Sequence, residues 1–145
     1  MYKHILIPTD GSDLSRKAIE HGVALAKATG ASVVGITVSP PFFTAVVDPV
    51  FVPETMEQYQ ANCAAQAERD LAVVRDIART AGLACEGVHV FDDHPYRAII
   101  ATAREQQCDL ICMASHGRKG VSALLLGSET TKVLTHSAIP VLVCR

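Results

Sequence analysis

Short, nearly continuous apolar runs alternate along the chain with longer segments whose apolar positions recur every three or four residues. The first run, KHILIPT over residues 3–9, ends in Pro, Asp and Gly and predicts a buried strand leaving a sheet. A helix follows it: Ser12 or Asp13 caps the start, Ile19, Val23 and Ala26 share one face, and Gly30 supplies a left-handed stop. SVVGITV, residues 32–38, predicts the second strand. Residues 39–53 carry Pro40, Pro41, Pro49 and Pro53 among Phe42, Phe43, Val46, Val47, Val50, Phe51 and Val52. That mixture predicts an irregular apolar insertion, one that folds over its own domain, touches a second subunit or lids a pocket.

From residue 54 to 81 the positions Met56, Tyr59, Cys63, Ala67, Leu71, Val74, Ala78 and Ala81 repeat at three and four, a long one-faced helix closed by Gly82. CEGVHVF is the third strand. Pro95 opens the next helix, with Tyr96, Ile99, Ile100 and Ala103 inward, and DLICMA is the fourth strand. Ser128 caps a short helix, and IPVLVC is the fifth strand. Five strands alternating with helices predict a single α/β domain over residues 1–145, an open, mostly parallel five-stranded sheet with helices on both faces. Continuous rather than alternating apolar strands fit such double-sided burial.

Composition narrows the classes. Hydrophobic residues make up 49% of 145, yet no run reaches the 18 or more apolar residues of a membrane span. A formal charge of −2 gives no general attraction to nucleic acid or acidic membranes. The N-terminus enters a strand directly, without the pattern of a signal peptide, and the five cysteines form no CxxC pair. Both features fit a cytoplasmic protein with reduced core thiols. The histidines lack metal-ligand spacing and form no nucleophile, base and orienter set, so neither a structural zinc nor a dedicated catalytic centre is expected.

Ligands of open α/β sheets sit at the carboxyl ends of strands where the winding reverses. Two loops fall on that edge, PTDGSD after strand 1 and SHGRKG after strand 4. Gly117 and Gly120 can turn backbone N–H groups toward one point. Gly127 and Ser128 add a helix start whose first amides lack intrahelical acceptors, a suitable place for phosphate. Hydrogen bonds to a charged group contribute roughly 1.5–3 kcal/mol each, so four or five suffice for micromolar binding after ordering costs. No GxxxxGK[ST] exists, and no GxGxxG follows strand 1, which disfavours Walker and Rossmann dinucleotide sites. Asp10 and Asp13 repel phosphate but suit ribose hydroxyls or magnesium. A ligand spanning both loops is a nucleotide, with its base near Val38.

These residues resemble the universal stress protein family in its single-domain form. The likeness runs from ILIPTDGS through HPYRAIIATAREQQCDLICMASHG to LLLGSETTKVLTHSAIPVLV, nearly the whole length. The family's nucleotide-binding members carry G-x2-G-x9-G-[ST]. Here the motif reads Ala114-Ser-His-Gly117, nine residues, then Gly127-Ser128, with Ala114 in place of the first Gly. The resemblance implies a Rossmann-like, adenine-nucleotide alpha hydrolase-like fold and a stress-response module that binds ATP with Mg2+. By the same resemblance Pro8, Thr9 and Asp10 line adenine and ribose and Val38 meets the base. Met113, His116, Gly117, Gly127, Ser128 and Thr130 hold ribose and phosphates. It also implies a homodimer through the C-terminal strand.

Three other readings compete. A receiver domain would use Asp10, Asp13, Asp92 and Asp93 but wants a cation after strand 5, where the sequence offers only Arg145. A flavin domain would place phosphate after strand 1, against two aspartates. A dimeric interaction module of the same family, binding no nucleotide, draws on Ala114 and on Glu129, whose carboxylate would compete for the amides of its own helix.

Overall fold

The computed structural model describes residues 1–47, 50, 55–118 and 125–145. Ten elements run in the order β1 (His4–Pro8), α1 (Asp13–Thr29), β2 (Ser32–Ser39), α2 (Phe42–Ala45), α3 (Met56–Thr80), β3 (Cys85–Phe91), α4 (Pro95–Glu105), β4 (Leu110–Ala114), α5 (Ser128–His136) and β5 (Val141–Cys144). All five strands are parallel, in the order β3-β2-β1-β4-β5. This is the α/β architecture expected from the alternation. The winding reverses between β1 and β4, whose carboxyl ends therefore border an open crevice.

Strand β1 is the axis. Ile5, Leu6 and Ile7 have no exposed surface, and successive side chains enter opposite layers. Ile5 and Ile7 pack with Ala18, Ile19 and Val23 of α1, Val74 and Ala78 of α3, and Cys112 of β4. Leu6 packs on the other face with Val34 and Ile36 of β2, Ile99 and Ala103 of α4, Met113 of β4 and Val133 of α5. The edge opposite the crevice is tied by Asp109, whose carboxylate accepts the N–H groups of Lys3 and His4 at 2.9–3.1 Å.

Local signals explain the element ends. Ser12 accepts Ser15 N–H at 3.2 Å to cap α1, and Gly30, at φ +73°, ends it in the left-handed conformation. Thr55 and Gln58 form a reciprocal capping box at α3. The buried stripe of α3 is Tyr59, Ala67, Asp70, Leu71, Val74 and Ala78. It departs from the expected stripe: Met56 is exposed, Cys63 and Ala81 are half-buried, and the carboxylate of Asp70 lies within it.

Two boundaries require correction. Residues 42–45 form a helical turn, not irregular chain, because Pro41 occupies the cap position and Phe42 docks edge-on to Tyr59 with ring centroids 5.6 Å apart. Three of its other described apolar side chains do not fold over the domain: Phe43, Val47 and Val50 are 73%, 78% and 83% exposed. The expectation for Phe51 and Val52 lies outside the described residues. At α5, Gly127 holds the cap position and Ser128 is the first helical residue, so its hydroxyl is not spent on capping.

Thiols line the α1 layer. Cys112 Sγ is 3.7 Å from Cys144 Sγ and 3.6 Å from Ala18 O, and burial pushes the Cys112 thiol far up. In the opposite layer, the Cys108 thiol is pushed up to about 11, first by burial and then by the charge of Asp109.

Close approach of α1 to the sheet depends on Gly22, where a Cβ would lie 2.6 Å from Ile7 Cδ1 and 3.2 Å from Cys112 Sγ. Overpacking at this contact forces side chains off their rotamers. Gly22→Val is therefore expected to lower stability by about 1–3 kcal/mol. Urea unfolding checks it, through a lower midpoint at unchanged slope.

Candidate functional site

The crevice between β1 and β4 is built from two loops and one helix start. On the β1 side, Pro8 ends the strand and Thr9, buried, donates its N–H to Ile36 O at 2.9 Å, which keeps the loop aligned with β2. Thr9 Oγ1 accepts Gly11 N–H at 3.2 Å. Gly11 has φ +78°, which favours glycine, and turns the chain into α1.

Asp10 spans the crevice. Its Oδ1 accepts the N–H of Ser12 at 3.0 Å and the hydroxyl of Ser15 at 2.7 Å; its Oδ2 accepts the N–H of Arg118, beyond β4, at 2.7 Å. Burial opposes the charged form, but the hydrogen bonds from Ser12, Ser15 and Arg118 outweigh it and hold the carboxyl below its ordinary range. Gly117 permits this approach, since a Cβ there would lie 2.7 Å from Asp10 Oδ2.

On the β4 side, Met113 and Ala114 are buried in opposite layers. Ala114 is the last residue of the strand, and its methyl packs in the α1 layer. An extended backbone makes no demand for glycine, so this departure from the motif has no conformational cost here. Ser115, which sequence reasoning missed, organises the next turn. Its carbonyl accepts Gly127 N–H at 2.7 Å, and its Oγ lies 3.0 Å from His116 Nδ1. Thr130 Oγ1 donates to Ala114 O at 2.9 Å and anchors the first turn of α5 on the strand.

The beginning of α5 is thereby clamped to the end of β4. A Cβ at Gly127 would sit 3.1 Å from Ser115 O and 3.2 Å from His116 Cα. The N–H groups of Ser128, Glu129 and Thr130 have no intrahelical acceptor, and the helix dipole adds partial positive charge at the same place. Glu129 does not compete for them. Its Oε2 accepts Tyr96 N–H at 2.9 Å, capping α4, where His94 makes no side-chain capping bond, while Oε1 meets Lys132 Nζ at 3.0 Å.

The structure thus gathers Pro8, Thr9, Asp10, Met113, His116, Gly117, Gly127, Ser128 and Thr130 on the elements bordering the crevice. Val38 stands one strand further, half-buried on the same face of the sheet as Met113. Of the missed contributors, Ser15 shows no signal at the sequence level beyond its place in the first turn of α1. Ser115 lay inside the quoted motif. Gly120 and Lys119 of the same loop lie outside the described residues. Among the described residues no group of three or more His, Cys, Asp or Glu could hold a metal ion, and no helix is long and apolar enough to cross a membrane.

Comparison with known proteins fits this geometry. The family model described as "Universal stress protein family" matches residues 1–145. Universal stress protein MJ0531 of Methanocaldococcus jannaschii is 30% identical over 148 residues, covering 100% of this chain and 83% of that protein. The solved structure of MJ0577, from the same organism, superposes with a TM-score of 0.83 at 26% identity, covering 99% of this chain and 96% of that one. A universal stress protein of Archaeoglobus fulgidus, solved in complex with dAMP, has the same fold at a TM-score of 0.72 and 18% identity, covering 99% of this chain and 98% of that one. With a family match over every residue and a relative this similar along the full chain, the protein belongs to the universal stress protein family.

Proposed function

We propose that this protein binds ATP with Mg2+ at the crevice between β1 and β4 and serves as a nucleotide-dependent regulatory module of the stress response. The observation that carries this reading is the start of α5. Gly127 is packed on the end of β4, and three N–H groups and a Ser128 hydroxyl with no partner among the described residues follow it at the point where the sheet's winding reverses. Such a helix start suits phosphate. The Archaeoglobus neighbour bound to dAMP supports an adenine nucleotide as the ligand class.

In this reading the base lies along Val38 and Pro8, and Thr9 and Asp10 face adenine and ribose. Met113, His116 and Gly117 line the ribose and the approach to the phosphates, while Gly127, Ser128 and Thr130 border the phosphates. Magnesium has a limited protein donor set. Asp10 is the one carboxylate among these ten residues, and both its oxygens already accept hydrogen bonds. The ion therefore fits as a companion of the phosphates, which supply most of its ligands, and not as a resident metal. When bound, it would neutralise phosphate charge.

Ala114 and Glu129, the residues that favour an interaction module without nucleotide, are turned to structural tasks away from the phosphate position. What favours that second reading is the Arg118–Asp10 bond, which spans the crevice. The two readings separate on ligand stabilisation. ATP at one hundred times its Kd is expected to stabilise the fold by about 2.7 kcal/mol, seen as a rise in Tm. An unchanged Tm at millimolar ATP, with a flat calorimetric titration, would select the interaction module. Gly127→Val is expected to weaken ATP binding more than about tenfold, because a branched side chain there meets the backbone of Ser115 and His116 and shifts the start of α5 away from the end of β4. Circular dichroism should show unchanged helical content.

Assembly belongs to the same proposal. Strand β5 is one edge of the sheet and carries no lysine or inward charge, the usual protection of an open edge. A two-fold axis would pair it antiparallel with its own copy. Val141 packs partly on the α4 and α5 layer, so Val141→Lys would disturb the core as well as the interface. Leu142 is 39% exposed and offers the cleaner test. Wild type is expected to scatter light as a dimer at tens of micromolar and Leu142→Lys as a monomer. A wild-type mass of one chain would refute the assembly.

A further inference from the structure

Hydrogen bonds at the start of α4 can be followed one donor at a time. His94 N–H goes to Asp92 Oδ1 at 2.7 Å, and Pro95, the first helical residue, has no N–H. Arg97 and Ala98 donate to His94 O at 3.0 and 3.4 Å. The side chain of His94 makes no capping bond, so the N–H of Tyr96 finds its acceptor on another helix: Glu129 Oε2, 2.9 Å away and 33 residues further along the chain. Each amide of this helix start thereby has a partner.

The ring of Tyr96 is held from the same side. His136 stacks on it with centroids 5.2 Å apart and an interplanar angle of 30°. Lys132 Nζ, bonded to Glu129 Oε1 at 3.0 Å, stands 5.7 Å from the ring centroid. Positions 129, 132 and 136 recur at three and four, so one stripe of α5 carries all these contacts. The turn that carries Glu129 is also the turn whose amides, those of Ser128, Glu129 and Thr130, have no intrahelical acceptor. Gly127 N–H and Thr130 Oγ1 tie this turn to the end of β4. Two anchors on a strand end leave a helix free to pivot there, and a third on α4 removes that freedom.

We propose that Glu129 is a positioning residue of the nucleotide site: by capping α4 through Tyr96 it fixes the tilt of the α5 start, and it couples phosphate occupancy to the order of α4. This rests on the nucleotide reading and adds what supports the phosphate site and where its occupancy is felt. Phosphate on the three amides stills the turn that carries Glu129, so the Tyr96 N–H, which meets no ligand in that reading, opens less often. The coupling is reciprocal, and loss of the cap must weaken phosphate binding.

The test uses the full chain as wild type, Glu129→Gln and Glu129→Ala. Gln keeps an acceptor oxygen for Tyr96 N–H and gives up the charge; Ala gives up both. In calorimetry Glu129→Ala is expected to weaken ATP binding about three- to tenfold, the range of one net hydrogen bond, with Glu129→Gln close to wild type. Adenosine, which has no phosphate, should bind all three proteins equally. Amide hydrogen exchange at Tyr96 should slow when ATP is added to wild type or Glu129→Gln and should not respond in Glu129→Ala. A purely structural cap would lower the Tm of Glu129→Ala but leave its ATP affinity and its Tyr96 response as in wild type, and that result would overturn the proposal. Tighter ATP binding by both variants would also overturn it, because the carboxylate would then be repelling phosphate. Unaltered Tyr96 exchange in wild type saturated with ATP would do so without either variant. Failure of the nucleotide reading looks different: wild type itself would bind neither ATP nor adenosine, and the proposal would fall with it, whereas failure of the proposal alone leaves wild-type binding intact.

Discussion

Burial of β1 on both faces is the constraint from which the rest of the structure descends. Ile5, Leu6 and Ile7 have no water on either side, so two helical layers must exist, one fed by α1 and α3 and one by α4 and α5. Parallel pairing then follows, because each crossover helix has to return the chain to the same end of the sheet. Burial falls off outward: β3 and β5, at the two edges, are mostly half-buried or exposed. The chain starts at the centre and winds first one way and then the other. The crevice at the β1–β4 boundary is the geometric remainder of that reversal, not an added feature.

Among the described residues, Asp10, Ser115 and Ser128 border this remainder. The two sides differ in kind. From β1 comes a fixed negative charge, Asp10, held by two serines and a backbone amide; from α5 come positive dipoles clamped to β4 by Ser115 and Thr130. Opposite charge character on the two sides suits a ligand with hydroxyls at one end and anionic oxygens at the other. The clamp costs the helix nothing, since its own first carbonyls and amides follow their normal pattern.

Periodicity made the fold legible. Every strand and every long helix was marked in the sequence by continuous apolar runs or by three-and-four spacing, with Gly30 and Pro95 as punctuation, because burial and backbone stereochemistry act locally. The motif residues were legible for a related reason: Gly117 and Gly127 are required by close approach, and close approach leaves a fixed spacing. Long-range side-chain contacts left no such trace. Glu129 bonding Tyr96 joins residues far apart in the chain, and Asp70 reads as one acidic residue on a long helix until Gly11 is seen beside it. Asp10 to Arg118 is of the same kind. The short helix at Phe42 was hidden by its prolines, which usually end helices, whereas Pro41 here begins one.

The paired thiols beneath α1 have a consequence for how opening of this protein can be observed. Cys112 and Cys144 are sealed from solvent, and burial keeps Cys112 protonated far above neutral pH, so the nucleophilic thiolate is scarce as well as enclosed. Cys63 and Cys85 are half-buried and lie elsewhere. Alkylating reagents therefore meet two populations in one native chain, the half-buried Cys63 and Cys85 and the slower buried Cys108, Cys112 and Cys144, of which the last two wait for α1 to part from the central sheet. The chain has a built-in clock, and its slow hand measures the lifetime of the closed core.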